Sequence, residues 1–420
     1  MPNWSTRRWR PLFLTIWGGQ ALSLIGSRLV QFALVWWLAK ASDSAVVLAN
    51  AALMAYVPMV FLGPFAGALI DRWNRRAVML VADAGIALAT VGLAVLFATD
   101  NIRIPYVYAL MFIRAVGSAF HFPAMQASTT LMVPKEQLSR IAGMNQTVRG
   151  AAMLIAPMLG ALLIEWFPMQ HVLAIDIVTA FLAIAPLLLI RIPELPADAL
   201  KKQSHILRDM KEGLLFSIRW KGMLYLILGL ALMNFVVNPA FSLIPMYVRR
   251  VLSDNPLVFG SMQTLFAVGF LLGGLLLSVW GGFKKRIFTA LLAVAIMGVA
   301  IGAMGLTPYG WIGWALAAMF FTGLMEPVAN GSFTATLQAS VPAHLQGRLF
   351  SLLGSATQAV VPLGLLLAGP LCDRFGMRIW FLIGGIAYLV VAFGGLASQQ
   401  VMGLEAEGAG LKEQEAEGAG

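Results

Sequence analysis

Charge is scarce in this chain. Only 11% of its 420 residues are Asp, Glu, Lys or Arg, whereas 60% are hydrophobic. A water-soluble domain of that length cannot hide so much apolar surface, and a mean hydropathy of +0.82 excludes the soluble globular classes. Cysteine is almost absent: Cys372 alone excludes an internal disulfide framework and a cysteine-based metal cluster. The four histidines have no metal-ligand spacing, so no metal site is expected. A nucleophile elbow and a phosphate-cradling glycine loop with its lysine are both missing, which argues against an enzyme or an ATPase and calls for no cofactor. Acidic residues are the scarcer sign, 19 against 29 basic ones. The basic excess is scattered over short loops instead of forming the stripe that nucleic-acid binding requires. Such a loop bias orients a membrane protein.

What the chain does have is long apolar runs. They fall at 12–39, 46–70, 77–98, 106–132, 141–164 and 171–190, and then at 222–248, 257–280, 287–306, 311–340, 349–371 and 379–397. A bilayer needs about 20 helical residues per crossing, and helices satisfy their own backbone groups there. The expected fold is an all-α polytopic membrane protein with twelve transmembrane helices in two sets of six. The basic start Met1–Arg10 resembles a signal peptide, but the apolar run behind it is too long for one, so it is read as a retained first helix. Loops on one side, including the stretch 191–221, carry twenty Lys and Arg against six on the other, which predicts cytoplasmic termini.

The domain expectation is a bundle over 1–190, a cytoplasmic linker over 191–221, a second bundle over 222–400 and a disordered tail over 401–420. Pro193, Pro196 and the charged run Lys201–Lys211 suit a surface linker with one amphipathic helix, and the tail repeats Glu-Ala-Glu-Gly-Ala-Gly. An internal repeat joins the halves. Val133-Pro134 with Arg140 recurs as Val341-Pro342 with Arg348, a displacement of 208 positions, and Glu165-Trp-Phe167 falls on Asp373-Arg-Phe375 at the same displacement. Six-span parallel repeats related by a pseudo-two-fold axis are an established transporter plan.

The stretch Gly67-x-Leu69-x-Asp71-Arg72-x-Asn74-Arg75-Arg76 cannot lie in hydrocarbon and marks a tight connection at a membrane face. It resembles the loop-2/3 signature of the major facilitator superfamily, with Asn74 at a position that is usually Gly. Its second-half echo, Gly274 to Arg286, has Ser278 where the acid would fall. Gly18-Gly-Gln20, Phe32-Ala-Leu34, Phe120-His-Phe-Pro123 and Gly347-Arg348 are similar to the macrolide-efflux branch of drug:proton antiporters, which includes siderophore exporters. Pro157 and Gly160 resemble the fifth-helix motif of antiporters.

The resemblance implies a loop gate, in which Gly67, Asp71, Arg72, Arg75 and Arg76 face the start of helix eleven near Arg348. It also turns helices one, four, seven and ten toward a cavity. Charges in those helices cost roughly 3 kcal/mol each and mark function. Glu326, Arg28, Arg114 and His121 are therefore the proton-coupling candidates, His121 because imidazole exchanges protons near neutrality. The structural alternative for Glu326 is a permanent ion pair with Arg28 or Arg114. Asp83 is expected in an interfacial network with Arg75 and Arg76, and Asp176 near a helix start, favoured by the dipole. Substrate-cavity candidates are Gln20, Phe32, Trp36, Phe120, Asn234, Phe235, Asn238 and Gln358. Polar groups set among aromatics suit a bulky amphiphile.

The implied function is export of an amphiphilic small molecule (a drug, macrolide-like compound or siderophore) by alternating access with proton antiport. The expected partners are that substrate, protons and lipid, with no nucleic acid. The expected setting is a monomer in a bacterial plasma membrane. Alternatives are a dedicated lipid or metabolite carrier, and a non-transporting sensor of the same fold.

Overall fold

The computed structural model describes residues 9–70, 73–193, 220–341 and 343–405, and among them every regular element is helical. The helices are α1 (Trp9–Ser42), α2 (Ala45–Ile70), α3 (Arg75–Ala98), α4 (Ile104–Met132), α5 (Leu138–Trp166) and α6 (Met169–Leu189). They continue as α7 (Lys221–Ser242), α8 (Pro256–Trp280), α9 (Arg286–Leu306), α10 (Ile312–Ser340), α11 (Ala343–Ala359), α12 (Val361–Phe375) and α13 (Met377–Ala397). Among the described residues twelve helical stretches are long and apolar enough to cross a membrane, and each matches one of the twelve expected runs. The eleventh crossing, Leu353–Phe375, spans two helices. Its break at Val360 has a local cause: Pro362 sits in the first turn of α12 and cannot donate a backbone bond. The seventh run is shorter than expected, because α7 stops at Ser242 and the chain continues through short turns over Ile244–Leu252.

Helix ends follow local chemistry. The Asn74 side chain accepts from the Ala77 amide at 2.9 Å and caps α3. Asn255 does the same for α8 with the Leu257 amide at 2.8 Å. That helix ends at Gly281, whose φ of 75° is readily available to glycine alone.

The chain divides into two compact units: one holds α1 to α6 apart from the opening of α2, and the other holds that opening with the helices from α7 onward. In the first, α1 packs on α5 and α6, and α3 on α4 and α6. In the second, α10 packs on α8 and α9, α13 on α9, and α7 on α12 and α13. Each unit has a buried apolar cluster near one end. Met79, Val133 and Ile141 belong to the first cluster, and Ile287, Val341 and Leu349 to the second. Each pair is 208 positions apart, so the sequence repeat is also a repeat of core positions.

The opening residues of α2, Ser44–Ala49, group with the second unit. Asp373 caps them, accepting from Ser44 Oγ at 2.7 Å and from the amides of Ala45 and Val46 at 2.8 and 3.2 Å. The chain is still packed over residues 401–405, where the sequence suggests a tail. Val401 and Leu404 are fully buried in the second cluster, so burial of apolar side chains holds the chain in place through Glu405. The Glu405 carboxylate accepts from the Ile287 amide at 3.2 Å, supplying negative charge to the start of α9. The remaining tail, 406–420, and the linker from 194 to 219 lie outside the described residues.

Glycine sets the α8–α10 approach. A Cβ on Gly273 would meet the Leu324 carbonyl oxygen at 1.9 Å, and one on Gly323 the Phe266 oxygen at 2.1 Å. Small residues at such crossings let helix backbones pack closely in a bilayer. Gly323→Leu is expected to force the helices apart and lower the apparent melting temperature by several degrees. Gly274→Ala is expected to change it little, because nothing lies within 4 Å of that position. Thermal denaturation of the two purified variants separates these outcomes.

Candidate functional site

Three helical faces converge on a cavity of ≈ 300 Å³ within the first unit. Trp17, Gln20, Leu24 and Arg28 come from α1 at spacings of three and four, which put them on one face. His121, Phe122, Met125, Gln126 and Thr129 come from α4, and Asn145, Val148 and Arg149 from α5. The Trp17 indole donates to the Asn145 side-chain oxygen at 2.7 Å and ties α1 to α5. The Arg149 guanidinium lies 4.5 Å from the centre of the Phe122 ring, a cation–π arrangement. Apolar surface and fixed polar groups therefore meet in one pocket, the composition that receives amphiphilic ligands.

Behind the wall lies Asp83, 7% exposed. The Gln20 amide donates to its Oδ2 at 2.9 Å, and His121 Nε2 lies 3.3 Å from its Oδ1. This replaces the interfacial network expected for Asp83. Its side chain points to α1 and α4, whereas Arg75 and Arg76 reach backbone carbonyls. Arg75 donates to Ala127 at 3.0 Å, and Arg76 to Leu187 and Leu188 at the end of α6. Two arginines of the signature loop thus fasten α3 to its neighbours and favour the negative end of α6.

A second buried network joins α1, α3, α4 and α6. Arg114 Nη1 donates to Asp176 Oδ2 at 2.5 Å, and its Nη2 donates to the Ser27 carbonyl at 2.9 Å. Ser27 Oγ and Thr90 Oγ1 complete the carboxylate at 3.0 and 3.3 Å. Asp176 is 1% exposed and two turns inside α6, so its partner is Arg114 and the helix-start role expected for it does not hold. Arg114 is correspondingly unavailable as the ion-pair partner of Glu326.

The remaining candidates are dispersed. Phe32 and Trp36 are buried, and Phe32 packs where Gly160 leaves room on α5. Phe120 stacks on Trp73 beside a separate apolar cavity of ≈ 740 Å³ between α3 and α4. In the second unit, Asn238 donates to the Asn234 side chain at 3.0 Å along α7, and Asn234 donates to the Leu230 carbonyl at 2.9 Å. Phe235 lies on the same helix with its carbonyl close to Gly364, and Gln358 is exposed on α11. Glu326 is half-buried in α10, just before Pro327, and makes no ion pair among the described residues. Asp71 and Arg72 lie outside the described residues, as do the side-chain environments of Gly67 and Arg348. Sequence reasoning missed Arg149, Asn145 and Trp17. Arg149 carries the one usable signal, a full charge well inside an apolar run.

No group of three or more potential metal ligands occurs among the described residues. The family model described as Major Facilitator Superfamily matches residues 16–365. Macrolide efflux protein A of Streptococcus pyogenes is 34% identical over 384 residues, covering 91% of this chain and 95% of that one. Multidrug efflux pump Tap of Mycolicibacterium fortuitum is 25% identical over 382 residues, covering 87% and 90%. Among solved structures, a bacterial homologue of the iron transporter ferroportin superposes with a TM-score of 0.67 at 16% identity, covering 93% of this chain and 99% of that one. A POT family transporter superposes with a TM-score of 0.68 at 12% identity, covering 92% and 95%. At these identities the structural matches establish the fold alone.

Proposed function

The chain belongs to the Major Facilitator Superfamily, and from that premise we propose that it is a drug-efflux transporter. It exports amphiphilic small molecules, macrolide-like compounds or siderophores among them, from the bacterial cytoplasm by alternating access with proton antiport. The observation that carries this reading is the cavity of the first unit, where Trp17, Leu24, Phe122 and Met125 offer apolar surface beside Gln126, Asn145 and two arginines. Near full-length similarity to a protein named for macrolide efflux supports the same substrate class. The loop charge bias supports cytoplasmic termini.

The coupling groups sort by their partners. Arg114 is committed to Asp176 and holds the unit together. His121 faces the cavity but is held beside Asp83. Glu326 lies within a span, half-buried and with no cationic partner among the described residues, and it is the proposed proton carrier. An ionised carboxylate there is costly and a protonated one is not, so proton binding and release change what the span tolerates.

Expression in a bacterium stripped of its own efflux pumps tests the reading. Resistance to macrolides is expected to rise at least four-fold in growth-inhibition assays. Unchanged susceptibility, with the protein present in the membrane, would contradict it.

A further inference from the structure

We propose that the cavity between α1, α4 and α5 is an anion-recognition subsite, in which Arg28 and Arg149 hold the acidic group of an amphiphilic ligand. The inference rests on the export reading and extends its substrate class to acidic amphiphiles. Three arginines, Arg28, Arg114 and Arg149, lie well inside the spans of this unit. The carboxylates well inside those spans are Asp83 and Asp176. Asp176 is taken by Arg114, Ser27 and Thr90, and Asp83 by Gln20 and His121. Arg28 and Arg149 therefore share a cavity with no carboxylate in its lining. They are close enough to act on each other electrostatically. Two like charges in a membrane span carry a cost that a bound anion relieves.

The neutral groups around them agree. The Trp17 indole can only donate, so it fixes the Asn145 amide with its oxygen toward the ring. That leaves the Asn145 NH2 as a further donor for an anion. Arginine forks suit carboxylate, sulfonate and phosphate oxygens in particular. Phe122, beneath Arg149, and Leu24 and Met125 provide a wall for the attached apolar body. At ≈ 300 Å³ the space fits an acidic head with its adjoining ring, which makes it a subsite for a larger molecule.

The test uses the full chain in zwitterionic nanodiscs with two fluorescent probes of one aromatic body, anionic 1-anilinonaphthalene-8-sulfonate and neutral N-phenyl-1-naphthylamine. After subtraction of empty nanodiscs, the sulfonate is expected to bind at least about ten-fold tighter, roughly 1.4 kcal/mol. Arg28→Gln and Arg149→Gln should each reduce that preference several-fold, and the double variant should erase it. The Arg→Lys variants should keep part of it. Constant affinity for the neutral probe shows that the variants remain folded. Equal affinities in the unaltered protein, or a preference that survives the double variant, would overturn the proposal.

A second arm adds phosphatidylglycerol. Weaker sulfonate binding in the unaltered protein, beyond that in the double variant, identifies a lipid headgroup as the anion. No such difference assigns it to cargo. Either result upholds the site. Macrolide resistance without anion preference would overturn this inference alone, whereas anion preference without resistance would overturn the export reading alone.

Discussion

Glu326→Gln is expected to abolish accumulation of substrate against its gradient while leaving substrate-for-substrate exchange intact. The carboxylate sits in α10, half-buried and without an ion pair among the described residues, the setting from which the proton-carrier role is proposed. Glutamine keeps the shape and hydrogen bonding but never ionises. A two-unit pH difference stores about 2.7 kcal/mol per proton, equivalent to about 100-fold accumulation when one proton is exchanged per substrate. The variant should bring that ratio to about one in vesicles with an acidic lumen. Exchange of labelled for unlabelled substrate needs no proton transfer and should proceed within a few-fold of the original rate. If accumulation survives unchanged, Glu326 is not on the proton path, and the His121–Asp83 pair becomes the group to test.

The second large effect concerns stability. Arg114→Ala leaves Asp176 buried and charged, with only two hydroxyls to satisfy it. Removing one partner of a buried ion pair typically costs 3–5 kcal/mol. The apparent melting temperature in detergent should fall by several degrees and the yield with it. Arg114→Ala combined with Asp176→Ala should recover much of the loss, because no uncompensated charge remains. A double-mutant cycle on the melting data measures that coupling. Additive losses would mean that the pair contributes nothing beyond its separate contacts. The result would also decide the role of Arg114, since a structural pair predicts recovery of stability and transport together.

Much of this was visible in the sequence for physical reasons. The bilayer demands long apolar helices, so the twelve spans followed from hydropathy. The 208-residue displacement of Val133-Pro134 onto Val341-Pro342 anticipated matching core positions in the two units. The errors lie where helix rotation and neighbours decide. Asp83 is within about two turns of Arg75 and Arg76 along one helix, yet its side chain points across to Gln20 and His121. The place of Asp176 in the sequence suggests a helix-dipole role, but a guanidinium from α4 is closer and stronger. Phe32 and Trp36 are buried, and composition alone does not distinguish a packing ring from a binding one. Arg149 was overlooked although a charge inside a span is the strongest single-residue signal in a membrane protein. Its companion Arg28 was noticed, but two helices had to be packed before the pair became apparent.

Proton-driven export, as proposed, has a direct test. Purified protein is reconstituted into vesicles, a pH gradient with acidic lumen is imposed, and radiolabelled macrolide in the lumen is counted over time. Uptake is expected to exceed by several-fold that of protein-free vesicles, which register the passive trapping of a basic macrolide in an acidic lumen, and the excess should collapse when a protonophore dissipates the gradient. Equal lumenal levels in vesicles with and without the protein, both shown to hold the gradient, would contradict proton-driven export.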